Sequence, residues 1–469
     1  MYLYMSIGAL TQLAAIGAQD SNFLSDDPSN TIFKESTDKI TNFAKSVHTM
    51  IPKGNANWGT TFKFTIEKEG DMLNSMYVVI KLPEIKSNIF NSDLLDSNYY
   101  FRWSDYIGNL IIDNVKLYIG GQLIDEQTGE FQQIYTDLYD NDCNKLCLLG
   151  MDDILTIPRN IVSNDIIVES TNLYIPLKFW FCNNIKKALP LIALQYSNVE
   201  VEVTLKKWEE CYILLKKDAD TDLFINVKGN MENGMYTISE QSLDSVSLDC
   251  NFFYLDYVER KKAAQSEYKI LINQTQHIKY SLGNSNNIDL NFNHPVKEIF
   301  FNISIDYFKE LGEGFNFKNK HEFMPLIIYN YLLSKHIPLE DYFYKGYRHI
   351  LSEARILINT HPRVDWKDWK YYYYLQNYEN YRNILEHYVY LYSFSSDVYS
   401  DMPMGSLNFS RIDNSNLQIR INKQSIPTNF IPDKYKYLYK EEHFKINIYA
   451  INYNYIIIKG GIAGVEFSN

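Results

Sequence analysis

The sequence predicts an all-β chain of two tandem antiparallel sandwiches with short helices in loops, and three observations carry that prediction. Apolar and polar residues alternate with period two along several segments, the mark of strands with one wet face. The features of the first half recur in the same order in the second half. A chain of 469 residues also exceeds what one compact core supports and suits two domains.

The chain opens with an apolar stretch, 1–19, that carries no Lys or Arg, is interrupted by Gly8 and Gly17, and reaches Asp20 before a span of bilayer length accumulates. It reads as neither signal peptide nor membrane helix. Residues 1–26 are expected to form an arm that packs under its own domain or docks on neighbouring proteins. The first sandwich is expected over 27–212. Within it, 77–82 reads as a strand, 115–119 runs into Gly120-Gly121, and 122–125 runs back, because paired glycines supply the positive φ angles of a two-residue hairpin turn. Phe131, Ile134, Tyr135 and Leu138 fall on one face of a helix over 129–138. An apolar run follows at 173–181, and Val199, Val201, Val203 and Leu205 then alternate with Glu200, Glu202, Thr204 and Lys206.

A polar linker is expected over 213–238, and the second sandwich over 239–469 with a long connection at 306–348. Each feature above has a counterpart there. Segment 298–304 matches 77–82; 354–358, a turn at Asn359-Thr360 and 361–365 match the first hairpin; 389–394 matches 173–181; and 407–421 matches 194–205. A second helix is expected within 322–333. Eight-stranded jelly rolls fit this size and strand count, since two sheets paired face to face blunt the edge-strand hazard. Periodicity alone does not separate them from other sandwiches.

Composition narrows the function classes. A hydrophobic share of 46% with charged residues at 22% is that of a globular protein, enriched here by 39 Tyr and 26 Phe. A net charge of -12 gathers no phosphate backbones, so no direct nucleic-acid partner is expected. The five cysteines, Cys143, Cys147, Cys182, Cys211 and Cys250, are odd in number and scattered, and read as free thiols in a reducing compartment.

No chemistry motif outweighs its ordinary explanation, so no catalytic residue, cofactor or metal ligand is expected and the chain is read as a non-enzyme. Asp140, Asp142 and Asn144 have the opening spacing of a calcium loop, but Lys145 stands where the turn needs Gly and Met151 where the closing carboxylate belongs. No nucleophile sits in an elbow and no Gly-rich loop joins strand to helix. Trp366, Trp369 and the four tyrosines 371–374 could form a sugar-stacking platform, although packing or subunit contact explains them better. Sequons at Asn273, Asn302 and Asn408 are the candidate glycosylation positions, with Asn302 and Asn408 read as structural.

Blocks in order along the whole chain carry a family resemblance: Gly8-Ala-Leu-Thr-Gln-Leu-Ala-Ala-Ile-Gly-Ala-Gln-Asp20, Ile119-Gly-Gly-Gln-Leu-Ile-Asp125, Tyr174-Ile-Pro-Leu-Lys-Phe-Trp-Phe181, Ala188-Leu-Pro-Leu-Ile-Ala-Leu-Gln-Tyr196, Leu290-Asn-Phe-Asn-His-Pro-Val-Lys-Glu298 and Asn408-Phe-Ser-Arg-Ile-Asp-Asn414. The chain resembles the major capsid proteins of nucleocytoplasmic large DNA viruses, above all the phycodnavirus and mimivirus-like members. Glu69 and the long 306–348 connection depart from the pattern. The resemblance implies a double jelly roll that assembles as homotrimers, each a pseudo-hexagonal capsomer tiling an icosahedral shell. It further implies neighbouring capsomers and minor and penton proteins as partners, an internal membrane met only indirectly, and a place in the outer shell of a virion assembled in the host cytoplasm. The rival from another class is a carbohydrate-binding jelly-roll surface or fibre protein.

Overall fold

The computed structural model describes residues 7–17, 19–20, 40–90, 98–140, 147–151, 153–162, 165–219, 223–228, 238–282, 286–317, 324–335, 349–381, 383, 385, 387–422 and 444–468. Residues 1–43 separate as a unit of their own, in which α1 (Ile7–Ala14) exposes Leu10 and Leu13. The expected arm at 1–26 falls within it, partly outside the described residues.

Among the described residues, sixteen strands build the two sandwiches. The first eight are β1 (Phe43–Met50), β2 (Thr61–Ile66), β3 (Met72–Lys81), β4 (Ile112–Ile119), β5 (Gln122–Thr128), β6 (Asn172–Pro176), β7 (Val199–Leu205) and β8 (Ser245–Leu255). They form the sheets β1-β8-β3-β6 and β2-β7-β4-β5. The next eight are β9 (Tyr268–Ser281), β10 (Asn287–Asp289), β11 (Pro295–Ile305), β12 (Leu351–Ile358), β13 (His361–Asp368), β14 (Val389–Ser393), β15 (Ser415–Ile421) and β16 (Phe444–Lys459). Their sheets, β9-β16-β11-β14 and β10-β15-β12-β13, repeat the first order with every label raised by eight. Two copies of one jelly-roll topology therefore stand in tandem.

The repetition extends to detail. Gly120 and Gly121 turn β4 into β5 with φ of 60° and 81°, and Asn359 and Thr360 turn β12 into β13 with φ of 47° and 68°. Each turn is followed by a bulge at the same place, at Ile124 opposite Leu117 and Tyr118 in one hairpin and at Arg363 opposite Ile356 and Leu357 in the other. Glycine suits that left-handed turn freely; Asn tolerates it, and Thr adopts it at some strain.

Alternation works as the sequence predicts. Val199, Val201, Val203 and Leu205 are all buried in β7, while Glu200, Glu202 and Thr204 lie on its wetter face. Behind them Trp58, Trp103 and Trp208 pack edge-on and stacked, with ring centroids 5.3–6.1 Å apart. The expected helices form as Gly129–Tyr139, here α2, and as Leu326–Ser334.

The expected domain boundary is corrected. Ser245–Leu255 does not open the second sandwich; as β8 it lies between β1 and β3 and completes the first. The segment 213–238 is no simple linker either. Tyr212–Lys217 pairs with Tyr99–Trp103, and Phe224–Asn226 pairs with it in turn and with Met324–Pro325, because Tyr212, Ile213, Leu214 and Leu215 are apolar enough to be buried. This extra sheet is built from several insertions: 212–217 and 224–226 lie between β7 and β8, 99–103 between β3 and β4, 159–160 between β5 and β6, and 324–325 between β11 and β12.

Candidate assembly site at the seam between the sandwiches

The two sandwiches meet through an edge strand from each. β5 ends the sheet β2-β7-β4-β5 and β9 ends the sheet β9-β16-β11-β14, so both carry backbone groups with no ladder partner on one side. Asp125 on β5 accepts a hydrogen bond from the Thr275 N–H of β9 at 2.8 Å, and the Gln274 amide donates to the Ile124 carbonyl. Each edge thus satisfies the other through side chains instead of by strand pairing. Asp125 is buried, and Gln127 donates to its second oxygen at 2.8 Å. Burial pushes the Asp125 carboxyl from its ordinary 3.8 up to about 7, against the pull of the hydrogen bonds from Thr275 and Gln127.

Directly after β5 the chain enters α2, which lies on the outer face of the second sandwich's sheet. The Thr128 hydroxyl caps the helix by accepting from the Phe131 N–H at 3.1 Å. Gly129 stands here because a Cβ would sit 2.2 Å from the Asn109 and Ile112 carbonyl oxygens. One turn on, Phe131 stacks on Phe300 of β11 with centroids 5.7 Å apart. Glu130 Oε1 accepts from Asn302 Nδ2 and Asn447 Nδ2, each at 2.8 Å, and from the Tyr449 hydroxyl at 3.1 Å. Burial, and next the Glu130 carboxylate, raise the Tyr449 phenol above its usual range, so it remains a donor.

Further along α2 the Asp137 carboxylate meets His387 Nδ1 at 2.6 Å and accepts from Gln133. The Tyr139 and Tyr381 hydroxyls both donate to Glu298, which Lys297 approaches to 3.2 Å. A fully buried carboxylate so supplied is tolerable; stripped of its donors it would cost several kcal/mol. The seam is a network of donors shared among few acceptors, which fixes one relative placement of the two sandwiches.

Such an arrangement holds shape. Asp125 and Glu126 are adjacent, one buried and one exposed, and do not share a cleft as an acid–base pair would. Among the described residues no group of three His, Cys, Asp or Glu could hold a metal ion. Of the calcium-like spacing, Asp140 pairs with Lys178 at 2.6 Å, and 141–146 lies outside the described residues. Cys147, Cys182, Cys211 and Cys250 are free thiols; Cys143 lies outside the described residues.

The aromatic stretch divides between core and surface. Tyr372 and Tyr373 are buried, their hydroxyls donating to the Ala354 and Leu385 carbonyls at 3.0 Å. Trp369 stacks on His349 at 3.6 Å, and Trp366 carries the Arg420 guanidinium 3.9 Å over its ring. A sugar platform needs open ring faces, which these four do not offer. The sequons scatter: Asn302 is fully buried and bonded to Glu130, which leaves no access for a glycan; Asn273 is half-buried on β9; Asn408 is exposed, with Oδ1 accepting from the Ser410 N–H.

No signal for the seam was read from the sequence, yet one exists. Asn302 and Ser304 interrupt apolar β11, and Asn447, Asn452 and Asn454 interrupt apolar β16. Short amides on a strand without water-facing Lys or Glu mark a second buried face.

Comparison with known proteins agrees with the fold and names the family. Residues 31–258 match the family described as "Major capsid protein N-terminus", and residues 259–464 match "Large eukaryotic DNA virus major capsid protein". The chain belongs to the major capsid proteins of large eukaryotic DNA viruses. The join of the two matches falls just after β8, where the strand order places it. The chain is 27% identical to the major capsid protein of Phaeocystis pouchetii virus, over 98% of this chain and 100% of that one. It is equally 27% identical to that of Paramecium bursaria Chlorella virus 1, with the same coverage. It also superposes on the chain of the PBCV-1 virus capsid with a TM-score of 0.70 at 24% identity, covering 94% of this chain and all of that one. The Faustovirus major capsid protein follows at a TM-score of 0.63 and 11% identity, covering 94% and 96%. As a member of this family the protein is a structural component of an icosahedral virion shell and no enzyme.

Proposed function

We propose that three copies of the chain close into a homotrimeric, pseudo-hexagonal capsomer, and that such capsomers tile the shell. The observation that supports this reading is the repeated strand order, which gives one chain two walls of equal architecture joined by a built seam. Three such chains offer six near-equivalent walls around a threefold axis. Closed symmetry stops growth at three and leaves the lattice to weaker contacts with neighbouring capsomers and with minor and penton proteins.

The net charge of -12 favours protein partners over direct contact with the genome. An internal membrane is met only indirectly, and assembly takes place in the host cytoplasm. Light scattering on the purified full chain tests the trimer. A mass of three chains, stable on dilution, is expected, and a persistent monomer would overturn it.

A further inference from the structure

The seam inside the chain has a donor half and a recipient half. The donor is the edge strand β5 followed by α2; the recipient is the edge strand β9 with the outer face of β16 and β11. Duplication supplies each half a second time. β13 holds the same edge of its sheet as β5, behind the same turn and bulge, and leads into the helical turns Tyr371–Leu375 and Gln376–Asn380. β1 holds the same edge as β9, with β8 and β3 in the places of β16 and β11.

Among the described residues neither duplicate meets the other half as α2 meets the second sandwich, and the duplicate donor keeps an exposed face. On β13 every residue but Val364 and Trp366 is exposed, and beyond it Tyr374 is 57%, Leu375 43% and Tyr378 78% exposed. The recipient faces differ in the same sense. β11 is buried on both faces from Val296 onward, under α2, whereas β3 is fully buried only at alternate positions. The open face of that first sheet carries Tyr77 and Val79, with Tyr174 of β6 and Ser247 of β8 in register beside Val79. Thr49 of β1 donates to Asp249 on this face, which brings Val47, 58% exposed and two residues away, to the same side.

We propose that the segment 371–380 of one copy lies across the outer face of β1-β8-β3-β6 in the next copy, as α2 lies across the second sandwich within each chain. This rests on the trimer reading and specifies its contact. The occupant is a second copy because the chain already contains one solved instance of the same contact. Each chain then gives one donor and receives one, a heterologous contact that closes into a ring of three. Tyr374, Leu375 and Tyr378 become its anchors, in line with the weight that buried aromatics carry at interfaces. The tyrosine run thereby acquires two duties, with Tyr372 and Tyr373 in the core and Tyr374 outward.

The test places a photoreactive benzophenone side chain at position 378 of the full chain, in a mixture of isotopically light and heavy copies. Cross-links from 378 to peptides of β3, β6 or β8 in the other isotope, within particles of three-chain mass, are expected. Three-chain mass with cross-links only elsewhere overturns this contact and leaves the trimer standing. Monomer mass overturns both. A second variant, Tyr378→Asp, changes an exposed residue and should keep the far-ultraviolet spectrum of the parent while weakening trimer association about 30-fold. Unchanged association would count against the contact.

Discussion

Asp125 and Thr275, 150 positions apart in sequence, join the two sandwiches by one hydrogen bond of 2.8 Å from a backbone N–H to a buried carboxyl. No lysine or arginine is within salt-bridge distance of that carboxyl among the described residues, and water is largely excluded from it. It is an adhesive contact made with a group that prefers, on electrostatic grounds, to keep its proton.

A pH dependence follows from the sign of that preference. The folded chain holds the Asp125 proton up to about pH 7, whereas the unfolded chain releases it near 3.8. Between these values the folded state binds more protons, so stability falls as pH rises through the window and stays lowered above it. Asp125→Asn removes the ionisation. At pH 8 it should stabilise the protein by roughly 2–4 kcal/mol, and at pH 4 the two proteins should be alike. Gln127 has an unpaired Oε1 with which to accept from the new amide on turning over. Thermal denaturation from pH 4 to 8 checks this, and a variant less stable than its parent at pH 8 would refute it.

Glu130 gathers three donors from β11 and β16. Truncation in Glu130→Ala strands two amides in a buried place and leaves the Tyr449 phenol only the Thr128 hydroxyl, at a cost of roughly 3–5 kcal/mol. Adding Asn302→Ala should cost much less than its own single effect, since one of the stranded donors is then gone. Urea unfolding of the two single variants and the double variant measures the coupling; strict additivity would mean that the three bonds do not act together.

Gly129 has no room for a methyl group between two backbone oxygens. Gly129→Ala must therefore shift the start of α2, and with it Glu130 and Phe131, for about 3 kcal/mol. The expected signature is a lowered melting temperature together with faster proteolysis of the 129–139 helix. An unchanged melting temperature would show that the helix start can yield.

The duplicated sandwich was legible because strand alternation and turn chemistry are local. The paired hairpins at 120–121 and 359–360 and the alternation of β7 and β15 were readable from neighbouring residues alone. The boundary was not, because β8 returns to its sheet after the insertion 206–244, and nothing in Ser245–Leu255 states which sandwich it will complete. Asp125 and Glu130 escaped for a different reason. A polar residue on an edge strand or in a first helical turn is ordinary in solvent, and only the arrival of a second domain makes it buried.

The last strand of each sandwich, β8 or β16, lies between that sandwich's first and third strands. A growing chain therefore lacks the middle of its inner sheet until those residues leave the ribosome, and contacts of such long sequence separation form late. For the second sandwich that moment comes only with 444–459. A chain cut short before then presents an open sheet with no finished wall. Formation of β16 becomes the step that finishes the second sandwich.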